Sequence, residues 1–344
     1  MYNVVLSEGS GYTNSNSPPF YDFDNDVLYV GNDYGVLFAV QHVFNVSATN
    51  VPSVLWSTQV NTAHHALTGP VPDLGSANLD VLVGDADGNL WCVGGSNGTK
   101  GSGSCTASSI SATNPIADAP IVDPVTERAY VFAGGNGVAS TVVSRASTLS
   151  GSSTTVTDIG TNTSSGSQIH RGIFDYQYYA TNTGNLWVCG KGNSFGTPGP
   201  VLYSIPITSG SMGAAANSGS LTLASTGTAG QCSPLSELYN PNEGGGTDWL
   251  FVGVPGTCAY GTSTSGCVMS FQIGNSSASL IPTTAFSAPA ETNGTSGIIA
   301  DNISNTAQAS SMYFVTLGSP PPCTINVNSD ASNCLVKVTQ AGLQ

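Results

Sequence analysis

Two clusters of carboxylates are the residues of this chain whose types and spacing come nearest to a metal site. Asp22–Asp26 and Asp85–Asn89 have the alternating acidic and amide residues that begin a calcium-binding loop. A complete loop has a further acidic ligand at its twelfth position, which is Asp33 for the first cluster and Ser96 for the second. Short Asp, Asn and Gly sequences also form hairpin turns. We therefore interpret both clusters as turns that need no cofactor, with calcium as the alternative.

Histidine and serine give little support for catalysis. Adjacent residues on a strand point to opposite faces, so His64 and His65 are not expected to share a metal ion. No G-x-S-x-G sequence precedes a helical pattern, and no pair of carboxylates suited to glycoside hydrolysis can be singled out. We therefore expect a protein that is not an enzyme.

The eight cysteines form an even set without a C-x-x-C sequence, which favours disulfides over a zinc site. Sequence proximity suggests the pairs Cys92–Cys105, Cys258–Cys267 and Cys323–Cys334, which leaves Cys189 and Cys232. Proximity alone ranks these pairs, so other connectivities stay open. Disulfides persist in oxidising compartments, and we expect a secreted protein, either extracellular or at the cell surface.

Glycosylation would fit such a location. Six Asn-X-Ser/Thr sequons are candidates: Asn45, Asn97, Asn162, Asn275, Asn293 and Asn302. A chain rich in Ser, Thr and Asn contains some sequons by chance, so their number is only supporting evidence.

The charge balance limits the partners. Only 8% of the residues are charged, and the net charge is −14 with six basic residues. Such a chain cannot assemble a basic patch for nucleic acid or for an anionic membrane surface. No apolar run is long enough to span a bilayer, so we expect no membrane insertion.

The elements that position these residues come from a repeated hairpin. An apolar run, a turn with Asp, Asn or Gly, and a second apolar run recur at Asp26–Val40, Asp80–Val93 and Tyr178–Cys189. Related segments extend the repeat to six units. Their second strands are predicted to begin near Val27, Val81, Ala129, Tyr178, Trp249 and Met312, which are 48 to 71 residues apart.

The repeat predicts the fold class. Four short strands with turns need about 40–50 residues, the period of a propeller blade. No sustained helical pattern with caps interrupts the strands. We predict an all-β chain that forms a single β-propeller of six four-stranded blades, with seven as the alternative.

The aromatic residues of the repeat are then expected to pack between blades, and the alternative is that they form a sugar-binding face. These residues are Tyr29, Phe38, Trp91, Tyr130, Trp187, Trp249, Phe251 and Tyr313.

Two further expectations follow from a propeller. Residues 1–16 would form an N-terminal arm and residues 17–344 the propeller. The strand of the arm, Tyr2–Ser7 with Tyr2, Val4, Val5 and Leu6, would close the last blade or pair with a neighbouring subunit.

His170 and Arg171 precede the first strand of the fourth unit. We interpret them as polar loop residues, and the alternative is that they face the central channel.

The phrases VLYVGNDYGVLFAV, VLVGDADGNLWCV and GNLWVCG resemble the repeats of PQQ-like β-propeller proteins. The chain is most similar to an uncharacterised group of secreted bacterial propeller proteins, from about Ser17 through the closing CLVKVTQAGLQ. The resemblance implies the fold and no particular activity. Quinoprotein dehydrogenases are a poor match, because they use adjacent cysteines and more tryptophans than the four present here.

Three functions are compatible with these features. The first is a glycosylated, self-assembling surface or filament subunit, with copies of itself as partners. The second is a propeller that binds an extracellular glycan or protein. The third is a secreted lyase or hydrolase with a site at the channel mouth.

Overall fold

The structure is a computed structural model. It describes residues 3–6, 14–76, 79–100, 108–109, 114–135, 140–147, 155–161, 168–190, 199–215, 221–224, 232–242, 245–259, 264, 266–273, 280–286, 294–301, 311–317 and 334–339. The chain divides into two compact units, Met1–Val156 with Ser164–Arg171 and Thr157–Thr163 with Gly172–Gln344. Strands dominate both units, so the expected all-β class is confirmed.

The first unit holds three antiparallel sheets. Sheet 1 contains β1 (Phe20–Asp22), β2 (Val27–Gly31), β3 (Val36–Gln41) and β4 (Ser53–Gln59). Sheet 2 contains β5 (Val71–Pro72), β6 (Val81–Gly84), β7 (Asn89–Val93) and β8 (Ser108–Ser109). Sheet 3 contains β9 (Ile121–Asp123), β10 (Arg128–Ala133) and β11 (Ser140–Ser147), and β12 (Thr155–Thr161) follows where the units divide.

The second unit holds three further sheets. Sheet 4 contains β13 (Ile173–Phe174), β14 (Thr183–Gly190), β15 (Val201–Thr208), β16 (Ser211–Met212) and β17 (Leu221–Thr222), with the helix α1 (Tyr176–Thr181) between β13 and β14. Sheet 5 contains β18 (Ser236–Asn240), β19 (Thr247–Pro255), β20 (Gly266–Ile273) and β21 (Leu280–Phe286). Sheet 6 contains β22 (Ile299–Asp301), β23 (Ser311–Val315) and β24 (Leu335–Thr339).

The inner strands of these sheets are buried on both faces. Alternate residues of β6 show why: Val81 and Val83 pack into one core with Tyr29 and Leu37 of sheet 1. Leu82 points the other way, into a core with Ala129 and Val131 of sheet 3. Apolar residues therefore follow one another in such strands instead of alternating with polar ones.

The aromatic residues of the repeat confirm the core interpretation. Six of the eight are less than 10% exposed: Tyr29, Phe38, Tyr130, Trp187, Trp249 and Phe251. Trp91 and Tyr313 are partly buried. Packing between strands, and not a sugar-binding face, explains why the repeat has aromatic residues at these positions.

The fourth repeat differs from its prediction. Tyr178–Thr181 was expected to be a strand, but these residues belong to α1. The Asp175 carboxylate accepts a hydrogen bond from the Tyr178 N–H, and Asn182 closes the helix in the left-handed conformation with its N–H bonded to the Tyr178 carbonyl. The phrase GNLWVCG consequently lies on β14, the second strand of its sheet, and not on the third.

Sheet 6 and the segment that precedes β1 bear on closure of the repeat. Within the described residues sheet 6 has three strands, and β24 is its edge. Asn3–Leu6 has no strand assignment, and Leu6 packs against Val30, Val36 and Phe38 of sheet 1. The strand predicted at Tyr2–Ser7 is therefore not confirmed, and Tyr2 itself lies outside the described residues.

Candidate functional site

A hydroxyl side chain recurs in the lead-in segments, by which we mean the residues immediately before the first strand of each sheet. In four sheets this hydroxyl lies three residues before the first residue of the first strand. Its oxygen accepts a hydrogen bond from a backbone N–H of that strand, in the pairs Ser17–Gly31, Thr68–Gly84, Ser233–Gly253 and Ser296–Val315 (3.1, 2.9, 2.8 and 2.9 Å). The bond fixes each lead-in segment to its own sheet.

Two sheets depart from this pattern. Ile121 of β9 pairs with Tyr130, and the residue three positions before Ile121 is Asp118. Ile173 of β13 pairs with Trp187, and the residue three positions before Ile173 is His170. An acid and an imidazole therefore replace the hydroxyl in consecutive repeats, so these two residues are the first candidates for a role other than folding.

The lead-in segment that carries Asp118 is also longer than its counterpart. The Leu67 N–H bonds to the carbonyl of Asn32, and the Ile116 N–H bonds to the carbonyl of Asp85 in the same way. Val71 lies four positions after Leu67, whereas Ile121 lies five positions after Ile116. Counted back from Ile121, Asp118 still occupies the hydroxyl position, but its side chain reaches another partner.

That partner is His170. His170 Nδ1 lies 2.9 Å from Asp118 Oδ2, and the Arg171 N–H donates to the same oxygen at 2.7 Å. Burial alone would raise the pKa of Asp118, but the hydrogen bond and charge of His170 and the N–H and charge of Arg171 hold this pKa below its ordinary value. Asp118 is therefore an ionised acceptor at neutral pH.

The pair lines a cavity in the first unit. Its volume is about 390 Å³, and its walls come from four lead-in segments together with Ala86 of the β6–β7 turn. Pro18, Leu67 and Ile116 supply apolar surface, while Asp118 and His170 supply polar groups. The volume falls within the range of about 300–1,000 Å³ that is typical of small-molecule sites.

Two polar atoms of the pair remain available in this cavity, which the amide side chains of Asn16 and Gln168 also line. Within the described residues, Asp118 Oδ1 and His170 Nε2 have no hydrogen-bond partner in the protein. His170 Nε2 accepts a hydrogen bond when the ring is neutral and donates one when the ring is charged. The arrangement can hold groups that donate hydrogen bonds, such as hydroxyls. The interpretation of His170 as an ordinary loop residue thus misses its contact with Asp118, which only the register of the strands reveals.

The histidine pair singled out in the sequence does not form one site. His64 stacks on Tyr34 with ring centroids 3.8 Å apart, whereas His65 Nδ1 lies 2.5 Å from Asp87 Oδ1. Desolvation would raise the pKa of Asp87, but its bonds to Asn61 and His65 lower it. The two rings have different partners, as the alternation of side chains suggests.

The acidic cluster Asp85–Asn89 forms a hairpin turn. Asp85 is fully buried, and its Oδ1 accepts the backbone N–H groups of Asp87 and Asn89. Its Oδ2 accepts the amide of Asn61 at 2.7 Å and the indole N–H of Trp91 at 2.6 Å. The side-chain amide of Asn89 is a fifth donor to this carboxylate, which supports the turn interpretation.

The cluster Asp22–Asp26 has the same character. Asp22 Oδ1 accepts the N–H groups of Asp24 and Asn25. Asp26 accepts the Tyr21 hydroxyl at 2.7 Å and the Phe44 N–H at 2.9 Å. Across the described residues no group of three or more His, Cys, Asp or Glu side chains is placed to hold a metal ion.

Two disulfides are present in the described residues of the second unit, Cys189–Cys232 and Cys258–Cys267. Sequence proximity suggests Cys258–Cys267, and Cys189–Cys232 joins the two cysteines that the proximity pairs leave over. Cys92 and Cys334 are also disulfide-bonded. Their expected partners, Cys105 and Cys323, lie outside the described residues.

Two of the six sequons can be placed. Asn45 and Asn97 are exposed, so both are accessible to modification. The other four lie outside the described residues: Asn162, Asn275, Asn293 and Asn302. The described part of the chain has no helix that is long and apolar enough to cross a membrane.

The second unit contains a carboxyl pair that sequence reasoning missed. Glu237 on β18 and Asp248 on β19 are diagonal neighbours, because Glu237 pairs with Leu250 and Tyr239 with Asp248. Burial and the adjacent Asp248 raise the pKa of Glu237 to about 9, so Glu237 is protonated at neutral pH. In sheet 1 the corresponding pair is Tyr21 and Asp26, which shows that Glu237 is the residue that departs from the repeat.

No family model matches the chain, and comparison with curated proteins finds no match. Among solved structures, Sqt1 from Saccharomyces cerevisiae is similar with a TM-score of 0.50 and 11% identity, over 92% of this chain and 84% of Sqt1. The quinohemoprotein alcohol dehydrogenase from Comamonas testosteroni has a TM-score of 0.49 and 11% identity, over 88% of this chain and 51% of the enzyme. BamB from Moraxella catarrhalis has a TM-score of 0.40 and 10% identity, over 87% of this chain and 82% of BamB.

At this level of identity the likeness to Sqt1 shows the fold alone. The chain has a β-propeller fold, in agreement with the repeated antiparallel sheets of both units. Its disulfides fit an extracellular protein.

Proposed function

We propose that this chain is a secreted, glycosylated subunit of a surface layer or filament, built on a six-bladed β-propeller. Copies of the chain associate by strand addition. The segment Tyr2–Ser7 of one copy pairs with the open edge of sheet 6 in the next copy. The assembly therefore uses the backbone of β24 as its acceptor.

The edge of β24 is the observation that carries this proposal. Sheets 1, 2 and 5 each have four strands, while sheet 6 has three in the described residues. Leu335 on β24 is 73% exposed. An unpaired edge presents a row of N–H and C=O groups that can accept another strand. Adding one strand to sheet 6 gives it the same number as its relatives.

The donor segment has the matching properties. Val4 and Val5 are β-branched residues that favour strands. Val5 is 75% exposed, and Asn3–Leu6 pairs with no strand in the described residues. Each backbone hydrogen bond contributes about 0.5–1.5 kcal/mol, so four to six bonds hold one contact at a few kcal/mol. A closed or linear polymer multiplies such contacts.

The surface supports an extracellular assembly. The exposed sequons Asn45 and Asn97 offer positions for glycans that would keep such a surface hydrated. The disulfides stabilise each copy outside the cell.

Proline substitutions test the proposal. The N–H groups of a strand alternate in direction, so one of Val4→Pro and Val5→Pro removes a bond to the accepting edge. We expect at least one variant to remain a monomer of 34.8 kDa in light scattering under conditions in which the native chain assembles. Val5→Thr is the matched control, because it keeps both the N–H and the β-branch, and it should assemble.

Two results would contradict strand addition. One is a native chain that stays monomeric at millimolar concentration and in its native secretion. The other is assembly of both proline variants to the same size as the native protein. Negative-stain microscopy of the same samples would show whether the product is a sheet or a filament.

A further inference from the structure

We propose that the cavity of the first unit is a binding site for a small neutral saccharide, held by Asp118 and His170. This inference is independent of assembly, because it concerns the lead-in segments and not the edge of sheet 6. It assigns a role to the two residues that depart from the repeat.

The repeat provides an internal comparison. Ser17, Thr68, Ser233 and Ser296 show which side chain the fold uses at this position, and their bonds to the second strand show why. Asp118 and His170 give up that bond and pair with each other across 52 residues of sequence. Folding alone does not require this exchange, since a hydroxyl serves the other four sheets.

The atoms of the site favour a ligand rich in hydroxyls. Asp118 Oδ2 is already engaged by His170 Nδ1 and the Arg171 N–H, which leaves Asp118 Oδ1 and His170 Nε2 for bonds to the ligand. A charge-assisted bond to a carboxylate is stronger than a neutral one. A hydroxyl can donate to the carboxylate oxygen, and it can accept from or donate to the imidazole nitrogen, so a sugar suits both atoms.

The walls and the charge of the cavity narrow the class of ligand that it can bind. Pro18, Leu67 and Ile116 present apolar surface that suits the C–H face of a sugar. An anionic ligand is disfavoured by the ionised Asp118 and by the net charge of −14. A volume of about 390 Å³ limits the bound part to one or two sugar rings.

The matched variants come from the repeat itself. Asp118→Ser and His170→Ser, alone and together, install the residue that the fold uses in other sheets, so the double variant should keep its melting temperature. Binding of methyl glycosides of glucose, galactose, mannose and N-acetylglucosamine would be followed by saturation-transfer NMR and calorimetry on the full chain. His42→Asn is the control for loss of a histidine elsewhere, since its left-handed φ of 59° suits Asn.

We expect at least one methyl glycoside to bind the native chain and the His42→Asn variant equally. Each serine substitution should weaken this binding about tenfold or more, which is the effect of losing a bond to a charged group. Lack of binding by every glycoside would overturn the proposal. Stronger binding of methylammonium than of any glycoside would also overturn it. A folded double variant that keeps the native affinity for the glycoside would overturn it as well. A double variant with a much lower melting temperature would show that the pair is structural.

The oligomeric state separates this proposal from strand addition. The double serine variant should assemble as the native chain does, because β24 is unchanged. Loss of glycoside binding with intact assembly supports the site. A double variant that loses both glycoside binding and assembly would show that the binding site is not independent of assembly.

Discussion

At the scale of single residues, comparison between equivalent positions of the repeat is the most informative guide. The hydroxyls at Ser17 and Thr68 explain what the fold needs, and Asp118 and His170 stand out because they do not supply it. The sequence alone shows His170 as one polar residue among many. Its significance depends on strand register, which fixes the position three residues before Ile173.

The carboxyl pair of the second unit predicts a pH dependence. The pKa of Glu237 is raised by burial and by Asp248 from its ordinary value of 4.5 to about 9. Because the folded-state pKa exceeds the unfolded one, the stabilising effect is full below about pH 4.5 and is lost as the pH rises to about 9. Glu237→Gln keeps the shape of the side chain but cannot ionise. It should therefore stabilise the protein at pH 8 and reduce the dependence of the free energy of unfolding on pH.

Denaturant unfolding from pH 4.5 to 9.5 measures this effect. Asp24→Asn removes an exposed carboxylate of sheet 1 and serves as the control. A native protein whose stability rises across this window, or a Glu237→Gln variant with an unchanged slope, would contradict the assignment.

Close packing between sheets 2 and 3 predicts the effect of one added methyl group. A Cβ at Gly84 would lie 2.7 Å from Ile116 Cγ2, and the buried, β-branched Ile116 cannot turn away. We expect Gly84→Ala to destabilise the protein by about 1–3 kcal/mol. Gly213→Ala is the control, because its nearest contact would be an ordinary 3.5 Å. Equal stability of the two variants in urea would show that the contact is not tight.

At the scale of elements, the hairpins could be predicted and the fourth repeat could not. Val27 and Val81 begin β2 and β6 as expected, because continuous apolar runs and Asp–Gly turns act locally. Tyr178–Thr181 also has strand-forming residues, but the caps Asp175 and Asn182 favour a helix. Asp175 lies outside the hairpin phrase Tyr178–Cys189, and Asn182 within it resembles a turn residue, so the similarity to the other copies was misleading.

The disulfides of the second unit predict different contributions to stability. Cys189–Cys232 spans 43 residues and Cys258–Cys267 spans 9. The chain-entropy relation gives about 4 kcal/mol for the longer loop and about 2.6 kcal/mol for the shorter one. Replacing each pair by alanine should therefore lower the free energy of unfolding more for Cys189–Cys232. Calorimetry or urea unfolding of the two double variants would test the order, and the reverse order would contradict the entropic explanation.

At the scale of the whole molecule, the repeat period and the all-β composition predict the propeller class. The proposed association of copies cannot be predicted in the same way, because it depends on an edge of one sheet that has no partner strand within the described residues. Sheet 6 resembles the other units in sequence, and it is the number of its described strands, three, that sets it apart. The residues of Asn3–Leu6 favour a strand, yet Leu6 packs on sheet 1 in the isolated chain. Both observations are consistent with a donor segment whose partner strand belongs to another copy.

A cryo-electron microscopy reconstruction of the assembled protein tests this central claim most directly. We predict an additional strand beside β24 that contains Val4, Val5 and Leu6 and is continuous with a neighbouring copy. An assembly in which β24 remains an open edge, or in which that strand comes from the same chain, would contradict strand addition between copies.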